Sequence, residues 1–284
     1  AKPALKAVEV APVPTTMLWR FLIAGATSML ILVATGRFRW PRGMEWAWLG
    51  LLAFFIFSMN FLVFGQVSRM IPSGMVSVLF ATATIFNAVN SRIFFHEAVG
   101  LRMAVAVGLG LVGLVLMFAP DLAEGLASAG ARTTLAAILL GLLGAVLFSL
   151  GNMVSRRNSQ AGMGLIWANG WGMCLGSVIL MLATLASGAD LMPPMRADWW
   201  AAVLFLALVG SVLGFAAYLG LVARIGPNRA AYATVIFPVV ALWISWAVEG
   251  YEWHWPAIIG LGLITVGNVL IFTRTGIRGS RRGG

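Results

Sequence analysis

Apolar residues in this chain gather into nine long blocks, at 15–35, 46–68, 72–95, 101–119, 134–154, 165–187, 199–223, 230–248 and 256–273. Each is close to the ~20 residues that a helix needs to cross ~30 Å of hydrocarbon. The short alternating segments of an outer-membrane barrel, about ten residues each, are absent. A helix satisfies all of its own backbone hydrogen bonds, so the blocks predict an all-α membrane protein. Composition agrees: 61% of residues are hydrophobic and only 10% charged. A soluble domain carries about 25% charged residues, so this chain has too few to wet a whole surface.

The blocks repeat. Gly65, Arg69 and Pro72 recur as Gly220, Arg224 and Pro227, a separation of 155 residues, and the same step carries Glu97 to Glu252. Repeats of this length in a membrane chain mark secondary transporters, whose substrate sites lie at the interface between copies near the bilayer midplane.

Charge then sets the orientation. Arg37, Arg39, Arg42, Arg92, Arg102, Arg156, Arg157, Arg224, Arg229, Arg274, Arg278, Arg281 and Arg282 fall in every second connection and the tail, 13 of the 19 basic residues. The alternate connections hold Glu9, Asp121, Glu124, Asp190, Asp198, Glu249 and Glu252, most of the nine acids. This is the positive-inside pattern, with a cytoplasmic C-terminus. The net charge of +10 therefore orients the chain in the lipid bilayer and does not point to nucleic acid. Nine spans would leave residue 1 outside, and the second copy has five spans to the first copy's four. The expectation is thus ten helices in two inverted five-helix repeats, with both termini cytoplasmic. Ala1–Leu5 would be the end of a first helix whose body precedes this sequence.

Several motifs support that division. Ala1-Lys2-Pro3-Ala4-Leu5 reads as a first-helix end, and Trp19-Arg20-Phe21-Leu22-Ile23-Ala24-Gly25 lies in the next helix. Phe148-Ser149-Leu150-Gly151-Asn152-Met153-Val154-Ser155-Arg156-Arg157 opens the second copy. Gly108, Gly110 and Gly113 mark one closing helix, and Gly260, Gly262 and Gly267 the other. In these features residues 1–119 and 133–273 resemble the two EamA domains of the drug/metabolite transporter superfamily. The departures are Ala83, where its counterpart Pro238 carries the family's usual proline, and Leu150, where a Trp is common. The resemblance implies a multi-pass protein of the bacterial inner membrane that exports amino acids and related metabolites. It also sets a linker at 120–132 on the periplasmic side and a basic cytoplasmic tail at 274–284.

Polar side chains in hydrocarbon are costly unless they face the bundle interior or a wet cavity, so they select candidate site residues. The third block is the most polar, with Thr82, Asn87, Asn90 and Ser91. Ala83, Asn87, Asn90 and Phe94 share one helical face. Asn87 either lines the cavity or bonds a neighbouring helix; Ser91 fits packing better. Asn60 is mid-span among Phe57, Phe61 and Phe64, rings that can cover an apolar ligand or face lipid. In the second copy the candidates are Phe148, Asn152, Tyr218 and Tyr232. A phenol at Tyr218 needs a buried partner, which a zwitterion's carboxylate could supply. The substrate-binding set is therefore Asn60, Phe64, Thr82, Asn87, Phe148, Asn152, Tyr218 and Tyr232. Pro238, inside a span, is the candidate hinge or a static kink. Arg20 is expected to snorkel to the outer surface.

Other classes lack their chemistry. The three Asp lie in connections, and His96 and His254 fall at opposite faces, so neither a catalytic site, a metal site nor a cofactor is expected. Embedded amides, hydroxyls and rings suit a small zwitterionic or neutral metabolite moved by alternating access. Nucleosides, drugs or sugar derivatives, or a non-transporting scaffold, are the alternatives. Apart from substrate and lipid no partner is expected, and the protein is read as a monomer or weak dimer. Every carboxylate sits at a block edge or in a connection, so facilitated diffusion rather than proton coupling is expected.

Overall fold

The computed structural model describes residues 10–71, 73–96, 130–225 and 254–272, with parts of 101–117. Every element among them is helical. These are α1 (Val13–Ala34), α2 (Glu45–Val67), α3 (Ser73–Ala81), α4 (Ala83–Phe95), α5 (Gly130–Gln160), α6 (Leu165–Ala186), α7 (197–225) and α8 (Trp255–Phe272). With α3 and α4 taken together, six spans are long and apolar enough to cross a membrane. The block at 230–248 lies outside the described residues. Large apolar side chains such as Leu30, Val33, Leu139, Phe205 and Leu213 point outward, while Thr15, Thr16, Asn60, Asn87, Asn152 and Ser211 are buried. That reversal of a soluble protein's pattern is what a lipid solvent demands.

α1 and α6 are both 22 residues long and start 152 residues apart. Each ends on a glycine in the left-handed region, Gly36 and Gly188, both at φ +65°. There the chain turns back so that Arg37 N–H bonds the Leu32 carbonyl and Ala189 N–H the Thr184 carbonyl. Glycine reaches that conformation without a Cβ clash, and the turn satisfies carbonyls that a helix end leaves bare. The two helices pack along each other in opposite directions. Thr15 at the start of α1 donates to the Asp190 carbonyl just past α6, 2.7 Å away. Trp167 at the start of α6 donates to the Arg39 carbonyl just past α1, at 2.9 Å.

Small residues permit this contact. A Cβ added to Gly25 would lie 2.9 Å from Cys174 Sγ and 3.0 Å from its backbone nitrogen. Gly25→Val should therefore push α1 off α6 and cost about 1–3 kcal/mol. Thermal unfolding of the purified protein should show a lower midpoint, only partly restored by Cys174→Ala, because the backbone contact remains. A midpoint equal to wild type would contradict this packing.

α2 and α7 each contain a π-helical stretch, at Ala53–Met59 and Leu206–Leu213. In each a buried serine donates to the carbonyl five residues back: Ser58 to Ala53 at 2.9 Å and Ser211 to Leu206 at 3.1 Å. Side-chain insertion of this kind accommodates the wider turn. The stretch in α2 packs on α6, where Gly172 and Gly176 leave room for Phe57, and the stretch in α7 packs on α1. Each wide turn thus rests on one of the two antiparallel helices α1 and α6.

The third block is two helices rather than one. Thr82 at the break donates its hydroxyl to the Leu79 carbonyl at 2.6 Å. At one end of the bundle Arg39, Arg156 and Arg157 lie over the rings of Trp167, Phe95 and Trp48, with Arg39 also ion-paired to Glu45 at 2.7 Å. The opposite end carries Trp200 in edge contact with both Trp19 and Trp199.

Candidate transport site

α4 and α5 meet along matched polar stripes. Asn87, Asn90 and Ser91 follow the 3, 4 spacing of one helical face, and so do Ser149, Asn152 and Met153. Asn90 Nδ2 donates to Ser149 Oγ at 2.9 Å. Ser91 Oγ reaches Met153 Sδ at 3.8 Å, which fits the packing role expected of Ser91. Phe94, on the same face as Asn87 by spacing, is instead more than half exposed.

Asn152 is the hub. It is fully buried, and its Nδ2 donates both to Asn87 Oδ1 at 3.2 Å and to the Tyr218 hydroxyl at 3.1 Å. One amide thereby joins α4, α5 and α7. Tyr218 thus has a partner from the protein itself, where the residue pattern left room for a substrate carboxylate. The Asn152 Oδ1 acceptor is buried with no hydrogen-bond partner. Such an orphaned oxygen carries a desolvation cost that a ligand N–H or O–H would relieve.

An aromatic wall runs beside this hub. Phe64 contacts Phe80 with centroids 5.4 Å apart, Phe80 contacts Phe148 at 4.8 Å, and Phe148 contacts Tyr218 at 5.6 Å. Phe64 approaches α5 at Gly144, where a Cβ would sit 2.7 Å from the ring. Asn60, one turn before Phe64, is buried, and its Oδ1 also lacks a partner. Asn60, Phe64, Asn87, Phe148, Asn152 and Tyr218 therefore fall in one region where α2, α4, α5 and α7 adjoin. Thr82 is buried too, but its hydroxyl is spent on the Leu79 carbonyl. Tyr232 and Pro238 lie outside the described residues.

Arg20 departs from expectation. Instead of snorkelling outward it is only 8% exposed. Its Nε donates to Ser211 Oγ at 2.9 Å, and its guanidinium carbon stands 4.6 Å from the Phe61 centroid and 5.3 Å from that of Phe21. The side chain crosses from α1 to the π turn of α7, where the Ser211 hydroxyl accepts it, and it is flanked by Phe21 of α1 and Phe61 of α2.

Two segments, residues 4–119 and 135–273, each match the model of the EamA-like transporter family. The chain belongs to that family. Among relatives of this EamA-like protein, YedA of Escherichia coli K12, an uncharacterised inner membrane transporter, is 28% identical over 255 residues. That alignment covers 89% of this chain and 79% of YedA. The uncharacterised transporter YdfC of Bacillus subtilis is 26% identical over 257 residues, with 89% and 79% covered. A crystal structure matches with a TM-score of 0.69 at 16% identity, over 95% of this chain and 90% of the other, and that likeness speaks to the fold. The protein is accordingly a multi-pass membrane transporter. Sequence reasoning singled out Asn87, Asn152 and Tyr218 by their polarity, though not their pairing, and it passed over Ser211. A lone serine in an apolar helix carries no signal until Arg20 arrives from another helix.

Proposed function

We propose that the protein exports small zwitterionic or neutral metabolites, amino acids and their derivatives first among them, across the bacterial inner membrane. The observation that carries this reading is the buried Asn87–Asn152–Tyr218 hub with its spare Asn152 acceptor. A polar group of this kind in the bilayer serves either a ligand or helix association, and an unfilled acceptor favours the ligand. The aromatic wall gives an apolar side chain its cover.

The native bundle is read as ten helices in two five-helix copies related by a pseudo-two-fold axis in the membrane plane. Support comes from the doubled family match, from the antiparallel α1 and α6, and from the recurring π turns. Alternating access then follows as rocking of one copy on the other about a shared site. The Arg-rich end is cytoplasmic and the Asp190 end periplasmic.

Expression in a bacterial host should raise the amino-acid content of the medium at constant growth, measured by amino-acid analysis of culture supernatants. The Asn152→Leu variant at equal membrane abundance should excrete at the level of the empty host. Equal excretion by wild type, variant and empty host would count against export of this class.

A further inference from the structure

Among the described residues Arg20 is a buried cation without an anion. A guanidinium offers five N–H donors. Among the described residues only the Nε–H is engaged, by Ser211 Oγ, and the ion pairs formed there involve Arg39 and Arg196 instead. Two phenyl rings give partial compensation from their faces. Neither can accept the in-plane N–H groups of the Nη nitrogens. Burial of a charge is expensive in any protein and more so within a bilayer, so a cation held this way is built for a counter-ion.

The repeat sharpens the point. Shifting Arg20 by the 152 residues that separate α1 from α6 lands on Gly172. There the wide turn of α2 presses Phe57 so close that a Cβ would lie 2.8 Å from the ring. The matching contact of α1 on α7 has an arginine, a bonded serine, and Gly210, which offers no side chain beside Nη2. The two halves share a backbone device, but only one carries a cation. Packing alone does not require that difference.

We infer that Arg20, held in place by Ser211, is the group that binds the substrate's carboxylate. Arginine suits this task because its paired N–H groups match the two oxygens of a carboxylate. The Phe61 ring beneath the guanidinium belongs to the residue after Asn60. Phe215, 6.0 Å from Phe61, lies three residues before Tyr218. A carboxylate at Arg20 would thus sit one residue along α2 from Asn60, whose spare amide oxygen suits an ammonium. This assignment rests on the export reading and narrows its substrates to carboxylates.

The test is thermal unfolding of purified protein against L-leucine, its methyl ester and 4-methylpentanoate. Both acids should stabilise wild type, and the ester should do so at least about tenfold more weakly, the scale expected when a charged hydrogen bond is lost. Arg20→Gln should lose about tenfold or more in apparent affinity for both acids, with Arg20→Lys between it and wild type. If Arg20→Gln does not fold, Ser211→Ala keeps the charge but loosens its hold, and it should weaken both acids and leave the ester unchanged. The inference is overturned if the ester matches L-leucine on wild type, if neither acid stabilises wild type, or if the Arg20 and Ser211 variants bind the acids as wild type does. Carboxylate stabilisation that depends on Arg20 without L-leucine flux would sink the export reading and leave this site standing. Full flux in Arg20→Gln would overturn this site alone.

Discussion

Asn152→Leu should reduce transport at least about tenfold while lowering stability only modestly. The substitution is close in volume, so the steric disturbance is small. What it removes is the shared donor of Asn87 and Tyr218, together with the spare Asn152 acceptor. Interhelical hydrogen bonds within membranes average about 0.6 kcal/mol and reach about 1.7, so losing two costs on the order of 1–2 kcal/mol of stability. A ligand contact of ordinary strength is worth at least as much, and a factor of ten needs only about 1.4 kcal/mol. Asn87→Ala should follow in the same direction, and Tyr218→Phe more weakly, because its ring keeps the contact with Phe148. Flux per folded molecule, from proteoliposomes with quantified insertion, separates the two roles. If thermal stability falls with flux per folded molecule unchanged, these amides are bundle glue.

An imposed pH gradient should drive no accumulation. Proton-coupled carriers place a titratable carboxylate or imidazole inside a span, where burial brings its pKa towards neutrality. Here Glu45 and Asp198 stand in the first turns of α2 and α7, and Glu97 and Glu252 fall at the edges of their blocks. Arg20, the buried charge near the site, stays protonated at any physiological pH. Net flux should therefore follow the metabolite's own gradient, with the same initial rate in proteoliposomes held at equal pH and in those with an acidic or alkaline interior. Uphill uptake driven by the pH difference alone would contradict facilitated diffusion.

How much of this was legible in the residue pattern depends on what each feature needs. The spans were legible because a run of apolar residues of bilayer length has few other uses: the blocks at 15–35, 46–68 and 165–187 became α1, α2 and α6 with ends moved by at most two residues. The block at 134–154 grew into the 31-residue α5, since Arg156 and Arg157 found rings to lie on and the helix continued past the hydrocarbon. The break at Thr82 had no glycine or proline to announce it. Nor did the π turns, which depend on Phe57 meeting Gly172 and Gly176 across the bundle and on a serine reaching the carbonyl five residues back. Asn60, Asn87, Asn152 and Tyr218 stood out as polar groups in apolar helices. The pairing of Asn152 with Asn87 and Tyr218 did not, because hydrogen bonds between residues some 65 apart are decided by helix packing. Arg20 was misjudged for the same reason: its partner is 191 residues away.

The central claim is that this EamA-like protein carries a small zwitterion through a site built on Asn152. The most direct measurement is counterflow of radiolabelled L-leucine into proteoliposomes preloaded with unlabelled L-leucine, for wild type and Asn152→Leu. The account predicts saturable counterflow for wild type, at least about tenfold slower for the variant, with none in protein-free vesicles. Wild-type flux no faster than protein-free vesicles, or saturable flux untouched by Asn152→Leu, would contradict it.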